Sequence, residues 1–140
     1  QRELKKDNDT MTKRINISSG SSFEKDFGYS RAVKVGETVY ISGTVGFNYE
    51  TGSCDDDPVA QLHQIIRNIE PALKEAGATL QYVVQITTYV TSAEVFTTIG
   101  PVLGEIFGDI LPANAAIVVQ FPVPNVKVEI SATAVVGCGG

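Results

Sequence analysis

Between Asp57 and Gly77 the chain spells out a helix with both ends marked. Asp57 can cap the free N–H groups, and Pro58 takes the first helical position, where its missing donor costs nothing. Apolar residues then recur at Val59, Leu62, Ile65, Ile66, Ile69, Leu73 and Ala76, one stripe at helical period, and Gly77 supplies a left-handed stop. Pro71 lies inside the pattern and should bend it, because it removes one backbone bond. His63 borders the stripe and reads as a solvated surface histidine. A helix with one apolar stripe must lay that stripe on another element. The rest of the chain offers mainly strands to receive it.

Tyr29–Val35 and Thr38–Gly43 are β-rich runs joined by Gly36-Glu37, which predicts a hairpin. Ile15–Lys25, rich in Ser, Gly and Asn, reads as loop or irregular edge. Asn48–Asp57 reads as a loop leading into the helix. Leu80–Val90 alternates with period two, putting Tyr82, Val84, Ile86, Thr88 and Val90 on one face. Thr91-Ser92-Ala93-Glu94 has capping-box spacing for a second helix. That helix carries Phe96, Ile99, Leu103, Ile106 and Phe107, with Gly100-Pro101 expected to kink or interrupt it. Two strands close the chain, Ala115–Phe121 and Val126–Val136. The expected order is β-β-α-β-α-β-β, an α+β mixed sheet with two helices on one face.

The other face of that sheet then needs a cover. In Ala115–Phe121 both parities are largely apolar, which signals burial on both sides. No spare element is left to supply the second layer, so the economical answer is self-association of sheets.

At 140 residues, 43% hydrophobic and 19% charged, the chain suits one soluble domain, with no apolar run able to span a bilayer. Residues 1–14 form a charged extension holding five bases and three acids. The chain begins with Gln and carries its only Met at position 11, so residues 1–10 are expected to be disordered or foreign to the natural protein. The remaining six bases and thirteen acids give residues 15–140, the single domain, a charge of −7. So acidic a body has little with which to neutralise phosphates, which argues against nucleic-acid binding. Cys54 and Cys138 stand far apart and His63 is the only histidine, so no zinc cluster can be assembled. Both cysteines read as free thiols of an intracellular, cytoplasmic protein, since no signal peptide is visible.

One carboxylate occupies an unusual place. Glu129 lies mid-strand in Val-Lys-Val-Glu-Ile-Ser, where burial is expected and charge is costly. Burial raises a carboxyl pKa, and near neutrality that makes a usable general acid or base. The competing reading is an ion pair with Lys127 or a solvated edge residue.

Gly28-Tyr29-Ser30-Arg31-Ala32-Val33-Lys34-Val35-Gly36, Val39-Tyr40-Ile41-Ser42-Gly43 and Glu50-Thr51-Gly52 resemble the YjgF/RidA family, which is also labelled endoribonuclease L-PSP. The likeness continues collinearly through Gln61, Asn68-Ile69-Glu70, Glu75-Ala76-Gly77-Ala78, Tyr89-Val90-Thr91, Phe96 and Pro112-Ala113 to Val128–Val135. The resemblance implies a chorismate-mutase-like α+β domain in a homotrimer, with sheets lining a central barrel and three small-molecule clefts between subunits. It implies hydrolysis of reactive imines or enamines to keto acids and ammonia, without metal or organic cofactor. By the same resemblance Tyr29 is the site tyrosine, Ser42-Gly43 line the ligand pocket, and Glu129 positions or activates water. The family's carboxylate-clamping arginine falls on Asn114, and Ala116 makes the pocket roomier. A neutral amide binds a carboxylate more weakly than a guanidinium fork, so 2-aminoacrylate is not the expected substrate. Arg31 shares strand parity with Tyr29 and is the candidate replacement cation, although an exposed strand arginine is its default reading. A non-catalytic ligand-binding trimer is the alternative to an enzyme.

Overall fold

A computed structural model describes residues 13–139. The extension expected at the N-terminus therefore lies, for residues 1–12, outside the described part. Six strands form one sheet: β1 (Arg14–Ile17), β2 (Ala32–Val35), β3 (Thr38–Val45), β4 (Val83–Val90), β5 (Ala113–Val118) and β6 (Val128–Val135). Their spatial order is β1-β2-β3-β6-β4-β5, with β4–β5 parallel and every other pair antiparallel. Three helices accompany them: α1 (Ser22–Phe27), α2 (Pro58–Glu75) and α3 (Ala93–Phe107). The parallel pair is joined through α3, as a parallel connection requires.

Helix α2 forms where the sequence places it. The Asp57 carboxylate accepts from the Val59 N–H, Pro58 opens the helix, and Gly77 follows with φ +78°. Leu62, Ile65, Ile66, Ile69 and Leu73 are buried against β3 and β6, while His63 is exposed. The last strand alternates: Val128, Ile130, Ala132 and Ala134 are buried under the helices, and Glu129, Ser131 and Thr133 face the other way.

Two buried amides on α2 fix the loops around it. The Gln61 Nε2 donates to the carbonyls of Asp55 and Asn125, at 2.7 and 2.8 Å, while its Oε1 accepts from the Lys127 N–H. Asn68 donates to the carbonyls of Val45 and Phe47. Each amide is satisfied, which is what full burial demands. Helix and strand meet closely at Gly46, where a Cβ would lie 2.7 Å from the Gln61 carbonyl oxygen. No larger residue fits there without moving backbone.

Several expectations are corrected. Ile15–Lys25 is not loop throughout; it supplies β1 and α1, whose caps are Ser21 and a left-handed Gly28. The domain edge set between residues 14 and 15 falls inside β1. Leu80–Tyr82 forms a 3₁₀ turn, and a register shift between Val83 and Gln85 brings Val83 inward and turns Val84 outward. Ser92, not Thr91, caps α3, accepting from the Val95 N–H at 3.1 Å. That helix runs unbroken through Gly100 and Pro101, and Pro101 is exposed. The final strands span 113–118 and 128–135 rather than 115–121 and 126–136.

The sequence marks Ala115–Phe121 for burial on both sides through self-association; within one chain all six residues of β5 are exposed. Among the described residues it is an edge strand with one neighbour, β4. The other sheet face is open as well, with Tyr40 53% and Ile117 43% exposed.

Candidate functional site

On the open face, at the end of the sheet where β3 and β6 pair, lies a cleft of about 640 Å³. Four of the residues singled out from the sequence line it: Tyr29, Arg31, Gly43 and Glu129. Glu129 pairs across the sheet with Val45. The strand register of β3 shifts between Ile41 and Thr44, which places Gly43 directly against the carboxylate. A Cβ on Gly43 would sit 2.9 Å from the Glu129 Cδ, so glycine leaves the space the carboxylate occupies. Burial pushes the Glu129 carboxyl above the usual carboxylate range, and the nearby Arg31 charge offsets only part of this.

Arg31 is buried, 4% exposed, which corrects the default reading of an exposed strand arginine. One Nη1 donates to the Gly43 carbonyl and to the Thr44 hydroxyl, each at 3.0 Å, and Nη2 donates to the Tyr29 phenol oxygen at 3.3 Å. Its charge also stacks over the Tyr29 ring, 5.5 Å from the centroid. Because that phenol accepts from Arg31, its own O–H remains free to donate into the cleft. Arg31 Nε lies 3.5 Å from a Glu24 carboxylate oxygen. Most of the guanidinium is thus spent on its own chain. Among the described residues the buried Nε–H, beside Glu24, has no hydrogen-bond partner, and one Nη2–H is also unused.

Glu24, on α1, was not singled out from the sequence. It is 4% exposed and accepts from the Ser19 N–H, at 3.2 Å, and from the Ser19 hydroxyl. Burial alone would raise its carboxyl, but the Ser19 and Ser18 hydroxyls, the Ser19 N–H and the Arg31 charge outweigh it and hold the pKa below its usual value. Phe23, Tyr49 and Phe121, which also line the cleft, went unnoticed too. The only advance signal was a Ser-rich stretch before an aromatic-flanked Glu.

The remaining site candidates lie elsewhere. The Ser42 hydroxyl donates to the Ser30 carbonyl at 2.6 Å, bracing the hairpin beside the cleft, and Ser42 is not among the lining residues. Lys127 does not neutralise Glu129; its ammonium donates to the Asp56 carbonyl. Asn114 and Ala116 sit on β5. Asn114 pairs with Ile86, which pairs with Ala132, all on the helix-covered side, and its Oδ1 accepts from the buried Thr88 hydroxyl at 3.1 Å. Glu129 pairs with Tyr89, which pairs with Ile117, on the opposite side. Period-two alternation therefore puts Asn114 and Glu129 on different faces of one chain. A site using both needs two copies. Cys54 and Cys138 are free thiols.

The endoribonuclease L-PSP family model matches residues 20–136, from just before α1 to the end of β6. The chain belongs to this family. The solved structure of a YjgF/YER057c/UK114 family member from Mycobacterium tuberculosis superposes with a TM-score of 0.79 at 41% identity, covering 89% of this chain and 100% of that one. RidA from an Antarctic Psychrobacter gives a TM-score of 0.67 at 33% identity, over 86% of this chain and 94% of that one. A 2-iminobutanoate/2-iminopropanoate deaminase of Mus musculus is 36% identical over 110 residues, 78% of this chain and 82% of that protein. The resemblance drawn from short motifs to YjgF/RidA thus holds across nearly the whole domain, and the mixed sheet with helices on one face is the family's fold. Among the described residues, no helix is long and apolar enough to cross a membrane.

Proposed function

We propose that this L-PSP family protein is a cofactor-independent hydrolase of imine or enamine metabolites, working as a homotrimer with its clefts between subunits. One observation carries the reading: a half-buried carboxylate, Glu129, with a raised pKa, faces a cleft that also presents the Tyr29 hydroxyl and the Arg31 charge. Similarity to the mouse deaminase supports the reaction type. Glu129 takes a proton from water as the water oxygen bonds to the imine carbon, the C=N π pair moves to nitrogen, and Glu129 passes that proton to the nitrogen to give the carbinolamine. Glu129 then takes the carbinolamine O–H proton as the carbonyl forms and hands it to the nitrogen as the C–N bond breaks, releasing ammonia. Tyr29 donates to the substrate and Arg31 supplies the local positive field.

Assembly is supported by the bare β5 edge and the open sheet face. Only a neighbouring copy could bring Asn114 and Ala116 to a cleft holding Glu129. The family-model name gives RNA cleavage as a rival activity, but the acidic body and a cleft with one committed cation favour a small ligand.

The test generates imines in place by oxidising amino acids and follows ammonia release above the spontaneous rate. Acceleration that disappears in Glu129→Gln is the expected result. No acceleration with any imine, together with ligand-induced thermal stabilisation, would replace the enzyme by a non-catalytic binding trimer.

A further inference from the structure

Helix α1 buries no apolar residue. The one side chain it sends into the interior is a carboxylate, that of Glu24. A charge costs free energy there unless it is paired and hydrogen-bonded. The Ser19 N–H and hydroxyl hold this carboxylate, and one of its oxygens lies 3.5 Å from Arg31 Nε, which has no hydrogen-bond partner among the described residues. Hydrocarbon of the same shape often serves stability as well as a buried ion pair does. A pair of this kind beside a cleft argues for a task beyond packing.

Glu24 grips the cleft twice. Its main-chain carbonyl accepts from the N–H groups of Gly28 and Tyr29, the latter at 2.9 Å, which sets the backbone of Tyr29. Its side chain faces Arg31, whose Nη2 donates to the Tyr29 phenol oxygen at 3.3 Å and whose Nη1 donates to the Gly43 carbonyl at 3.0 Å. Tyr29 is therefore held at both ends by one residue and its counter-ion. Gly43 in turn abuts the Glu129 carboxylate.

Charge follows the same route. Among the described residues, Arg31 and Glu129 are the only Lys, Arg, Asp or Glu that line the cleft. The other ionisable groups around Glu129 are phenols, Tyr29 and Tyr49 in the lining and Tyr89 across the sheet. Lys127, on the same strand face, is turned to the Asp56 carbonyl. The field that favours ionised Glu129 is thus that of Arg31, and Glu24 sits where it offsets part of that field.

We infer that Glu24 is a positioning residue of this site: acting through Arg31, it fixes the direction of the Tyr29 hydroxyl and limits the positive field at Glu129. Its bearing on turnover rests on the cleft being the active site proposed above, whereas its hold on Glu129 does not.

The test compares the full chain with Glu24→Gln, which keeps the size of the side chain and removes its charge. Carbon-13 NMR follows the side-chain carboxyls, the Glu129 signal being the one absent from Glu129→Gln, and ammonia release is followed against pH. Losing a negative charge should make Glu129 titrate at lower pH in the variant, and the acid limb of turnover should move down with it. Turnover on the plateau should fall about tenfold as Tyr29 loses its fixed direction. In an Arg31→Gln background the same substitution should change turnover less than about twofold, because the effect runs through the guanidinium. Glu24→Asp, which draws the charge back from Arg31 by one methylene, should give the same shifts in smaller size, and it serves if Glu24→Gln does not fold. An unmoved Glu129 titration overturns the inference, as does a full tenfold loss in the Arg31→Gln background. Failure of both variants to fold makes Glu24 a structural residue and overturns it too. If the titration moves in a protein that hydrolyses no imine, the hold on Glu129 stands and the catalytic reading falls. If turnover needs Glu129 yet ignores Glu24, the catalytic reading stands and the positioning falls.

Discussion

The two edges of the sheet are finished in opposite ways. At one edge β1 is four residues long, carries Arg14 and Asn16 outward, and is tied back by the Asn16 amide donating to the Ser30 hydroxyl at 2.9 Å. Beside it, Glu24 and Arg31 form an ion pair inside the same chain, with Nε 3.5 Å from the carboxylate. Shortness and charge are how sheets blunt an edge. At the other edge β5 reads Ala-Asn-Ala-Ala-Ile-Val, without one charge, and is exposed along its whole length. The first edge is complete within the described residues, whereas the second is bare along its outer side. A cleft lies near the complete edge, and residues that the family resemblance assigns to the cleft lie on the incomplete one, on the opposite face. Bringing those residues to that cleft would take a second copy.

Four substitutions would break or sharpen that contrast, in falling order of effect. Glu129→Gln removes the proton carrier at the cleft and should lower imine turnover by about 10²- to 10⁴-fold in the ammonia assay. It should also raise the melting temperature near neutral pH. The raised carboxyl pKa means the folded state holds its proton more tightly, so ionisation costs stability above the unfolded value of about 4.3, and the gap between variant and parent should close below it. Ile117→Lys puts a charge on the bare edge, where burial against a neighbour would cost several kcal/mol. Sedimentation should show the assembly falling to monomers, with turnover lost. A monomeric parent would erase the contrast altogether.

Glu24→Ala acts at the complete edge and should cost about 3 kcal/mol in urea unfolding, because it strands a buried cation. Its parent carboxyl is lowered, so this stabilisation is present above about pH 4.3 and fades as pH falls through the folded-state value. Subunit association should persist. Gly43→Ala is the mildest. Its Cβ would collide with the Glu129 carboxylate, the movable end of a side chain, so the fold should remain while turnover drops roughly tenfold, about 1.4 kcal/mol in the barrier.

What could be read beforehand follows the same divide. Helix α2, the hairpin turn and the parity of β6 depend on neighbours in sequence and on one apolar core, and local pattern reports them well. Glu129 stood out because a charge in an alternating strand is improbable without a reason. Helix α1 was hidden because Phe23 and Phe27 point outward, so no buried stripe marks it, and its one buried residue is the charged Glu24. The β4 bulge was hidden because a single extra residue reverses parity without altering composition. Arg31 looked like an ordinary surface cation because the acceptors that bury it, Gly43 and Thr44, come from the next strand. The double-sided apolar character of Ala115–Phe121 was legible, and one chain leaves β5 bare.

Phe23 and Glu24 are consecutive residues on a helix of only six. One forms part of the cleft's oily wall, and the other fastens that wall to the guanidinium at its charged end. Acid strong enough to protonate Glu24 would slacken the fastening and unseat the aromatic panel with it, so acidity and the shape of the cleft are joined through a single short turn of chain.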